Sequence, residues 1–394
     1  MIPDYYEFCN STKIVSGSHA LEHIGYELAA LGAQRPLVLT NKQLLELKVA
    51  TLVLDALADT EAEVVAVYDD VPVDSSVAVV NDVARVFREK GADAIVAVGG
   101  GSVLDTAKGA TIVLTHGATD LMEYRGAESL TGRRSVAFVA IPTTAGTGSE
   151  VTSAAVIKDT ERHVKMGFTS LSLLPDVAML DPRLTVGLPP RLTASTAMDA
   201  LTHAVEAFSC VQANPLSDCY ARAAIGLVVE HLPGVLDNPK DACGRLALAN
   251  AALMAGAAFS NAMVGIVHAM GHAAGGVADV PHGEAMAILL PHGMAYNLDA
   301  VGDRYGELLL ELAGAEVYAA TPAAERGAAA IERVRSFSRM LHERAGLPLT
   351  LTEAGVLPEH LSDIATAALN DGAMSMNPKQ PTYEELVEIL KGAL

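Results

Sequence analysis

Asp199 and His203 stand four residues apart in a stretch, 191–210, whose apolar spacing is helical, so their side chains share one helix face. His268 and His272 repeat that spacing in Val267-His268-Ala269-Met270-Gly271-His272. His282 follows fourteen residues after His268, in Asp279-Val280-Pro281-His282-Gly283-Glu284. The chain has 12 histidines, and these sit in its most apolar region. Polar groups buried without partners are costly, so a carboxylate with several imidazoles on neighbouring apolar helices calls for a divalent cation or a closed hydrogen-bonded network. Imidazole with carboxylate suits Fe²⁺ or Zn²⁺ rather than Mg²⁺ or Ca²⁺. Cys9, Cys210, Cys219 and Cys243 contain no C-x-x-C pair, which excludes a structural zinc finger.

A second constellation lies in the first half. Val98-Gly99-Gly100-Gly101-Ser102 follows an apolar run and precedes a helical stretch, the arrangement in which backbone N–H groups and a helix N-terminus cradle phosphate. Pro142-Thr143-Thr144-Ala145-Gly146-Thr147-Gly148-Ser149-Glu150 leaves another apolar run, and its hydroxyls and amides suit phosphate and ribose oxygens. Two such loops at one sheet edge describe a dinucleotide groove; each alone is also an ordinary tight turn. Lys165 is either a phosphate or nicotinamide contact or a solvated surface lysine.

These residues need elements to hold them. Apolar runs at 36–40, 63–68, 94–98, 136–141, 154–157 and 177–180 read as strands of a parallel sheet. Helical stretches Ser18–Leu31, Gln43–Leu57 and Ser75–Lys90 lie between them, and Gly32 and Gly91 stand where C-caps belong. This alternation is α/β. Beyond the proline-bearing stretch 181–195, helical spacing takes over at 191–210, 215–232, 243–263, 265–278, 284–297, 324–345 and 357–369. The reading is an α/β domain over 1–187 and an all-α domain over 188–394.

With 394 residues, 51% of them hydrophobic and 19% charged, the chain has material for two buried cores. A net charge of -20 argues against nucleic acid and anionic lipid as partners. Four scattered cysteines fit reduced thiols and a cytoplasmic location, and the N-terminus MIPDYYEFCN shows no signal peptide. The charge-free stretch 246–267 is rich in alanine and carries Asn250 and Asn261, so it reads as a core helix rather than a membrane span.

Taken together, GGGSVLDTAK (99–108), PTTAGTGSEVT (142–152), MDALTHAVEA (198–207), GIVHAMGHAAGGVADVPHGEAMAILLPH (265–292) and the tail NDGAMSMNPKQPTYEEL (370–386) resemble the iron-containing, or group III, alcohol dehydrogenases. The likeness runs over nearly the whole chain in the right order. It implies an α/β N-terminal dinucleotide-binding domain and an all-α C-terminal domain, a dehydroquinate synthase-like architecture with the active site between them. It implies that Asp199, His203, His268 and His282 are metal ligands, and that His272 is a catalytic residue near the substrate. Gly100, Gly101 and Ser102 match the pyrophosphate loop, and Thr143, Thr144 and Thr152, with Lys165, match further cofactor contacts; Gly99, Asp105, Thr147 and Ser149 in the same loops, with Asn41 and Asp74, complete the expected cofactor-binding set. Phe259 matches a substrate-pocket position. The implied assembly is a homodimer or larger homo-oligomer.

Two positions depart from the family. Where NAD-specific members often carry an aspartate after the second strand, this chain has Asn41 and then Lys42, which leaves NAD and NADP both open. Where an Asn-Pro pair is typical on the adenine side, it has Asp74-Ser75. The implied reaction is hydride transfer between a nicotinamide dinucleotide and an alcohol or aldehyde, with Fe²⁺ or Zn²⁺ as Lewis acid. The Ala, Gly and Met residues around 254–276 point to a short aliphatic substrate. A zinc-dependent polyol (glycerol-type) dehydrogenase and a dehydroquinate synthase-like lyase share the architecture, but the lyase needs a densely basic pocket and Arg191 is the nearest base to the histidine motifs. A non-enzymatic regulatory protein is the remaining reading.

Overall fold

The computed structural model describes residues 3–394 except 126–129, 131, 133 and 163. It divides into two compact units, one of Cys9–Gly187 and one of Met1–Phe8 with Leu188–Leu394.

The first unit carries strands β1 (Lys13–Ser16), β2 (Pro36–Leu39), β3 (Ala66–Tyr68), β4 (Ala94–Gly99), β5 (Ala137–Pro142), β6 (Ala154–Asp159), β7 (Val164–Thr169) and β8 (Val177–Leu180). Its α-helices are α1 (Ile24–Ala30), α2 (Lys42–Glu46), α3 (Val49–Ala58), α4 (Val77–Lys90) and α5 (Gly101–Thr115). Among the described residues, six strands form one parallel sheet in the order β1-β8-β5-β4-β2-β3. Alternate residues bury into opposite layers. Val38, Val96, Val139 and Met179 pack with Leu28 and Val53 on one face, and Leu37, Ile95, Ala97 and Phe138 pack with Val103 and Leu104 on the other. This two-sided burial is why the strands read as unbroken apolar runs.

Helix α4 shows how local chemistry sets its bounds. Ser76 Oγ accepts the Val79 N–H at its start, and Gly91 (φ 61°) takes the left-handed conformation at its end. The stretch expected to be one helix over 43–57 is two, α2 and α3, broken at Lys48, whose φ is 59°. The chain runs from β2 outward to β3 and returns to β4 on the other side of β2. The strand order therefore reverses between β2 and β4, the position at which open α/β sheets bind ligands beyond their carboxyl ends.

Strand β6 does not join the sheet as the sequence suggested. It pairs antiparallel with β7, which sequence reading missed, and the hairpin buries Ala155, Ile157, Met166 and Phe168 against α4 and α5. β7 alternates buried and exposed residues, as a strand covered on one face does. Edge strand β1 was missed as well; only four residues long, it has no fully buried residue to mark it.

The second unit is helical: α6 (Pro190–Ser209), α7 (Pro215–Asp237), α8 (Ala242–Ala262), α9 (Ile266–Ala278), α10 (His282–Ala313), α11 (Ala315–Ala320), α12 (Arg326–Ala345), α13 (Leu361–Leu369) and α14 (Tyr383–Gly392). α6 starts on Pro190, whose missing N–H costs nothing in a first turn, and lies at the centre, packed on α7, α8 and α10. It is buried all round from Ala197 to Ser209, so its polar side chains are buried too. α8 is long and apolar enough to cross a membrane, yet it packs on α6 and α7 with most of its surface buried. α10 runs on past the expected end at 297, through Pro291 to a kink at Val301. Between α9 and α10, Asp279 (φ 54°) stops one helix and Pro281 opens the next, so His282 becomes the first residue of α10.

Candidate metal centre and dinucleotide loops

Helix α6 presents Asp199, His203 and Glu206 at successive turns of one face. α9 brings His268 and His272, α10 brings His282, and α8 brings Phe259. Asp199 Oδ1 lies 3.1 Å from His282 Nε2, 3.7 Å from His203 Nδ1 and 3.8 Å from His268 Nε2. Donor atoms of Asp199, His268 and His282 all fall within 4.8 Å of one another. His203 stands just outside that trio. Its ring is sandwiched between Phe259, at 4.2 Å, and His268, at 4.4 Å between centroids.

Asp199 Oδ1, His203 Nδ1 and His268 Nε2 are buried atoms without a hydrogen-bond partner, and the His282 imidazole stands beside the first of them. Three buried polar atoms from two helices, clustered without hydrogen-bond partners, fit a divalent cation. Electrostatics agree. Burial works to raise the Asp199 carboxyl, but the imidazoles of His203, His282 and His268 outweigh it and hold it below the usual carboxylate range. Burial, reinforced by repulsion from neighbouring imidazoles and opposed by Asp199, pushes His203 down to about 3 and His268 well below its ordinary value. Both imidazoles are thus neutral at pH 7, the form that ligates metal.

His272 and His282 form the exposed side of the cluster, with 43% and 40% of their side chains accessible. Their rings stack at 5.4 Å. His272 Nδ1 lies 2.9 Å from Asp371 Oδ2. Arg191, the nearest base to these motifs, is taken by Glu284 through contacts of 2.6 and 2.9 Å. No dense basic pocket for an anionic substrate is present among the described residues here.

In the α/β unit, the two glycine-bearing loops meet. The Thr143 N–H donates to the Gly99 carbonyl at 3.1 Å. A Cβ on Gly101 would stand 3.1 Å from Thr147 Cγ2, and one on Gly100 would stand 3.3 Å from Thr144 Oγ1, so the glycines let the threonine side chains of the second loop pack closely on the first. Asp74, Gly101, Ser102, Asp105 and Lys165 line one hollow at the start of α5, where Lys165 Nζ is 3.0 Å from Asp74 Oδ1. Asn41 is apart from that hollow, at the end of β2. Its side chain accepts the Leu44 N–H to cap α2, and its neighbour Lys42 pairs with Asp70 at 2.7 Å.

Ser149, Thr152 and Asp105 were expected to touch the cofactor, but their side chains are engaged inside the protein. Lys108, fully buried, donates to Ser149 Oγ (3.1 Å), Thr152 Oγ1 (2.8 Å) and the Ala154 carbonyl (2.7 Å). Asp105 accepts from Ser149 Oγ at 2.8 Å and from the Val156 N–H at 2.9 Å. Burial pushes Lys108 down to about 8 and the buried Glu150 up to about 7.

Lys108, Glu206 and Asp371 are the residues that sequence reasoning passed over. Each sits inside a motif quoted above. For Glu206 a signal existed: it stands seven residues after Asp199, on the same helix face.

The comparisons with known proteins point to one family. The family description "Iron-containing alcohol dehydrogenase" matches residues 11–182, and "Fe-containing alcohol dehydrogenase family, C-terminal" matches residues 193–394. An NAD-dependent methanol dehydrogenase of Bacillus methanolicus is 37% identical over 386 residues, spanning 96% of this chain and 97% of the relative. A 1,3-propanediol dehydrogenase of Klebsiella pneumoniae is 39% identical over 381 residues, 96% of each chain. A crystal structure of a 1,3-propanediol oxidoreductase superposes with a TM-score of 0.93 at 36% identity, covering 99% of this chain and 100% of the other. A two-unit fold, a carboxylate–imidazole cluster and paired glycine loops thus coincide with family matches to both halves: this chain belongs to the iron-containing alcohol dehydrogenase family.

Proposed function

We propose that this protein is a metal-dependent, NAD-linked dehydrogenase of short aliphatic alcohols and the corresponding aldehydes. Its α/β half, 1–187, holds the dinucleotide, and its helical half, 188–394, holds the metal and the reacting groups. The observation that carries the reading is the trio of buried, unpartnered atoms on Asp199, His203 and His268 beside His282. Those four residues would hold Fe²⁺ or Zn²⁺. When bound, the ion supplies Lewis acidity toward an alcohol or carbonyl oxygen.

The chain's own residues do the rest. The backbone N–H groups of Gly100, Gly101 and Ser102, with the N-terminus of α5, receive the pyrophosphate. Thr143, Thr144 and Thr147 shape the adjoining wall, and Asp74 and Lys165 its rim. Lys42 is neutralised by Asp70, which disfavours a 2′-phosphate beside Asn41 and supports NAD over NADP. A bound nicotinamide would supply the hydride acceptor for the carbinol carbon, and His272, on the exposed side of the cluster, would take the hydroxyl proton to solvent. Asp371, accepting from His272 Nδ1, leaves Nε2 as the proton acceptor. Phe259 lines the apolar side of the pocket. We infer that the chain works in the cytoplasm, which the lack of a disulfide among the described residues supports, and as a homo-oligomer.

The test is cofactor absorbance during turnover. Protein purified without air is loaded with Fe²⁺ or Zn²⁺ in parallel and given NADH or NADPH with a panel of short aldehydes. Oxidation that a chelator abolishes and added metal restores is the expected result. Bound metal and dinucleotide with no oxidation of either cofactor would reject the dehydrogenase reading.

A further inference from the structure

The proposed metal centre leaves one buried charge and one sequence motif unused: Glu206, and the tail around Asn377. They meet at the start of α9. The Val267 N–H donates to Glu206 Oε1 at 2.7 Å, and the His268 N–H to Glu206 Oε2 at 3.3 Å. His268 Nδ1 lies 2.5 Å from the same Oε2. The Ile266 N–H donates instead to Asn377 Oδ1 at 3.2 Å. Gly265 permits this: a Cβ there would stand 2.8 Å from Asn377 Oδ1 and 3.2 Å from Glu206 Oε1. Asn377 is itself locked by a reciprocal amide pair with Asn297, at 2.9 and 2.8 Å.

Two jobs are divided between these residues. Asn377 anchors the helix and, among the described residues, makes no hydrogen bond to a histidine side chain. Glu206 anchors the helix and also reads the imidazole. Glu206 accepts backbone N–H groups at both of its oxygens, an arrangement that favours its carboxylate form, and a carboxylate can only accept from His268. The proton between them therefore sits on His268 Nδ1, and the lone pair sits on Nε2. Nε2 is the atom found buried and unpartnered 3.8 Å from Asp199 Oδ1.

We propose that Glu206 is a positioning residue that fixes His268 in its Nδ1–H tautomer and so keeps Nε2 available to the metal. The inference rests on the metal-dependent reading above. Glu206→Gln keeps the shape but turns an NH₂ toward donors, and the imidazole answers by accepting at Nδ1 and carrying its proton on Nε2, where it blocks ligation. Losing a partner of this kind typically costs about 10–100-fold in metal affinity.

The experiment is competition for Zn²⁺ between metal-stripped protein and a chromophoric chelator, for the wild type, Glu206→Gln and Asn377→Ala, with thermal unfolding of each metal-free protein alongside. Glu206→Gln is expected to weaken Zn²⁺ binding by that 10–100-fold, whereas Asn377→Ala lowers the unfolding temperature and leaves the affinity near wild type. Equal affinity in Glu206→Gln overturns the proposal, and so does a loss in Asn377→Ala as large as in Glu206→Gln, since anchoring the helix would then be the whole effect. Imidazole ¹⁵N shifts of the metal-free wild type, with the His268 signals identified by their absence in His268→Gln, give a reading that needs no Glu206 variant: Nδ1–H supports the proposal and Nε2–H overturns it. A wild type that binds no Zn²⁺ and no Fe²⁺ would instead remove the metal-dependent reading itself.

Discussion

Two buried polar clusters in this molecule are built on opposite principles. In the helical unit, atoms of Asp199, His203 and His268 are buried with nothing bonded to them. In the α/β unit, Lys108 is buried as deeply, yet each of its three protons has an acceptor, and Asp105 takes up what Ser149 and Val156 offer. The first cluster is incomplete without a further group and so reads as a binding site. The second is complete and reads as a scaffold, consistent with the proposal that backbone N–H groups and a helix terminus receive the dinucleotide. Buried polar residues thus do not all mark a ligand contact; their unused hydrogen-bonding capacity separates the two cases.

The largest effect that follows from this contrast is expected at the incomplete cluster. Asp199→Ala removes the atom on which the other three donors centre. Its metal affinity should fall by more than the roughly 100-fold that an outer partner costs, and activity with it. NADH binding, followed by fluorescence titration, should persist because the α/β cluster is untouched. An Asp199→Ala protein that keeps its metal would break the comparison at its stronger end.

How much of each cluster the sequence revealed follows from the same contrast. Asp199, His203, His268 and His272 were legible because four-residue spacing on an apolar helix is a local pattern. Glu206 shares that face and was passed over because a glutamate in a helix ordinarily faces solvent. The burial of Lys108 and Glu150 was not legible at all. It depends on the β6–β7 hairpin folding back over α5, a long-range event that no local periodicity records. The same hairpin explains why Ser149 and Thr152 looked like ligand contacts: small hydroxylated residues beside glycines read alike whether their hydroxyls face a phosphate or a buried ammonium. The parallel sheet itself was plain from its apolar runs, and only the strands without two buried faces, β1 and β7, escaped.

A smaller but still substantial effect is expected at the complete cluster. Lys108→Met strands Asp105, Ser149, Thr152 and the Ala154 carbonyl. Removing one partner of a buried ionic network costs about 3–5 kcal/mol. For a unit of this size that corresponds to a drop on the order of 10 °C in unfolding temperature. Metal affinity should be unchanged, and the KM for the dinucleotide should rise as the loop at 143–152 loosens. A variant with wild-type unfolding temperature and cofactor affinity would show that the scaffold reading overstates what Lys108 does.

The smallest of these effects concerns Glu150 and is read from pH. Its carboxyl is raised from 4.5 to about 7, chiefly by burial, with Lys108 opposing. A raised folded-state value means the folded protein holds this proton more tightly than the unfolded chain. The resulting stabilisation is full below pH 4.5 and is lost as pH rises through about 7. At about 1.4 kcal/mol per unit, the full loss is on the order of 3.5 kcal/mol. Glutamine is neutral throughout and mimics the protonated form. Glu150→Gln should therefore match the wild type near pH 4.5 and become progressively more stable than it toward neutrality. Chemical unfolding of both proteins across that range measures the difference, and Zn²⁺ should leave it unaltered because Glu150 is no part of the metal cluster. Parallel curves would mean that the charge of Glu150 is already compensated at neutral pH, and the α/β cluster would then be more completely satisfied than its burial implies.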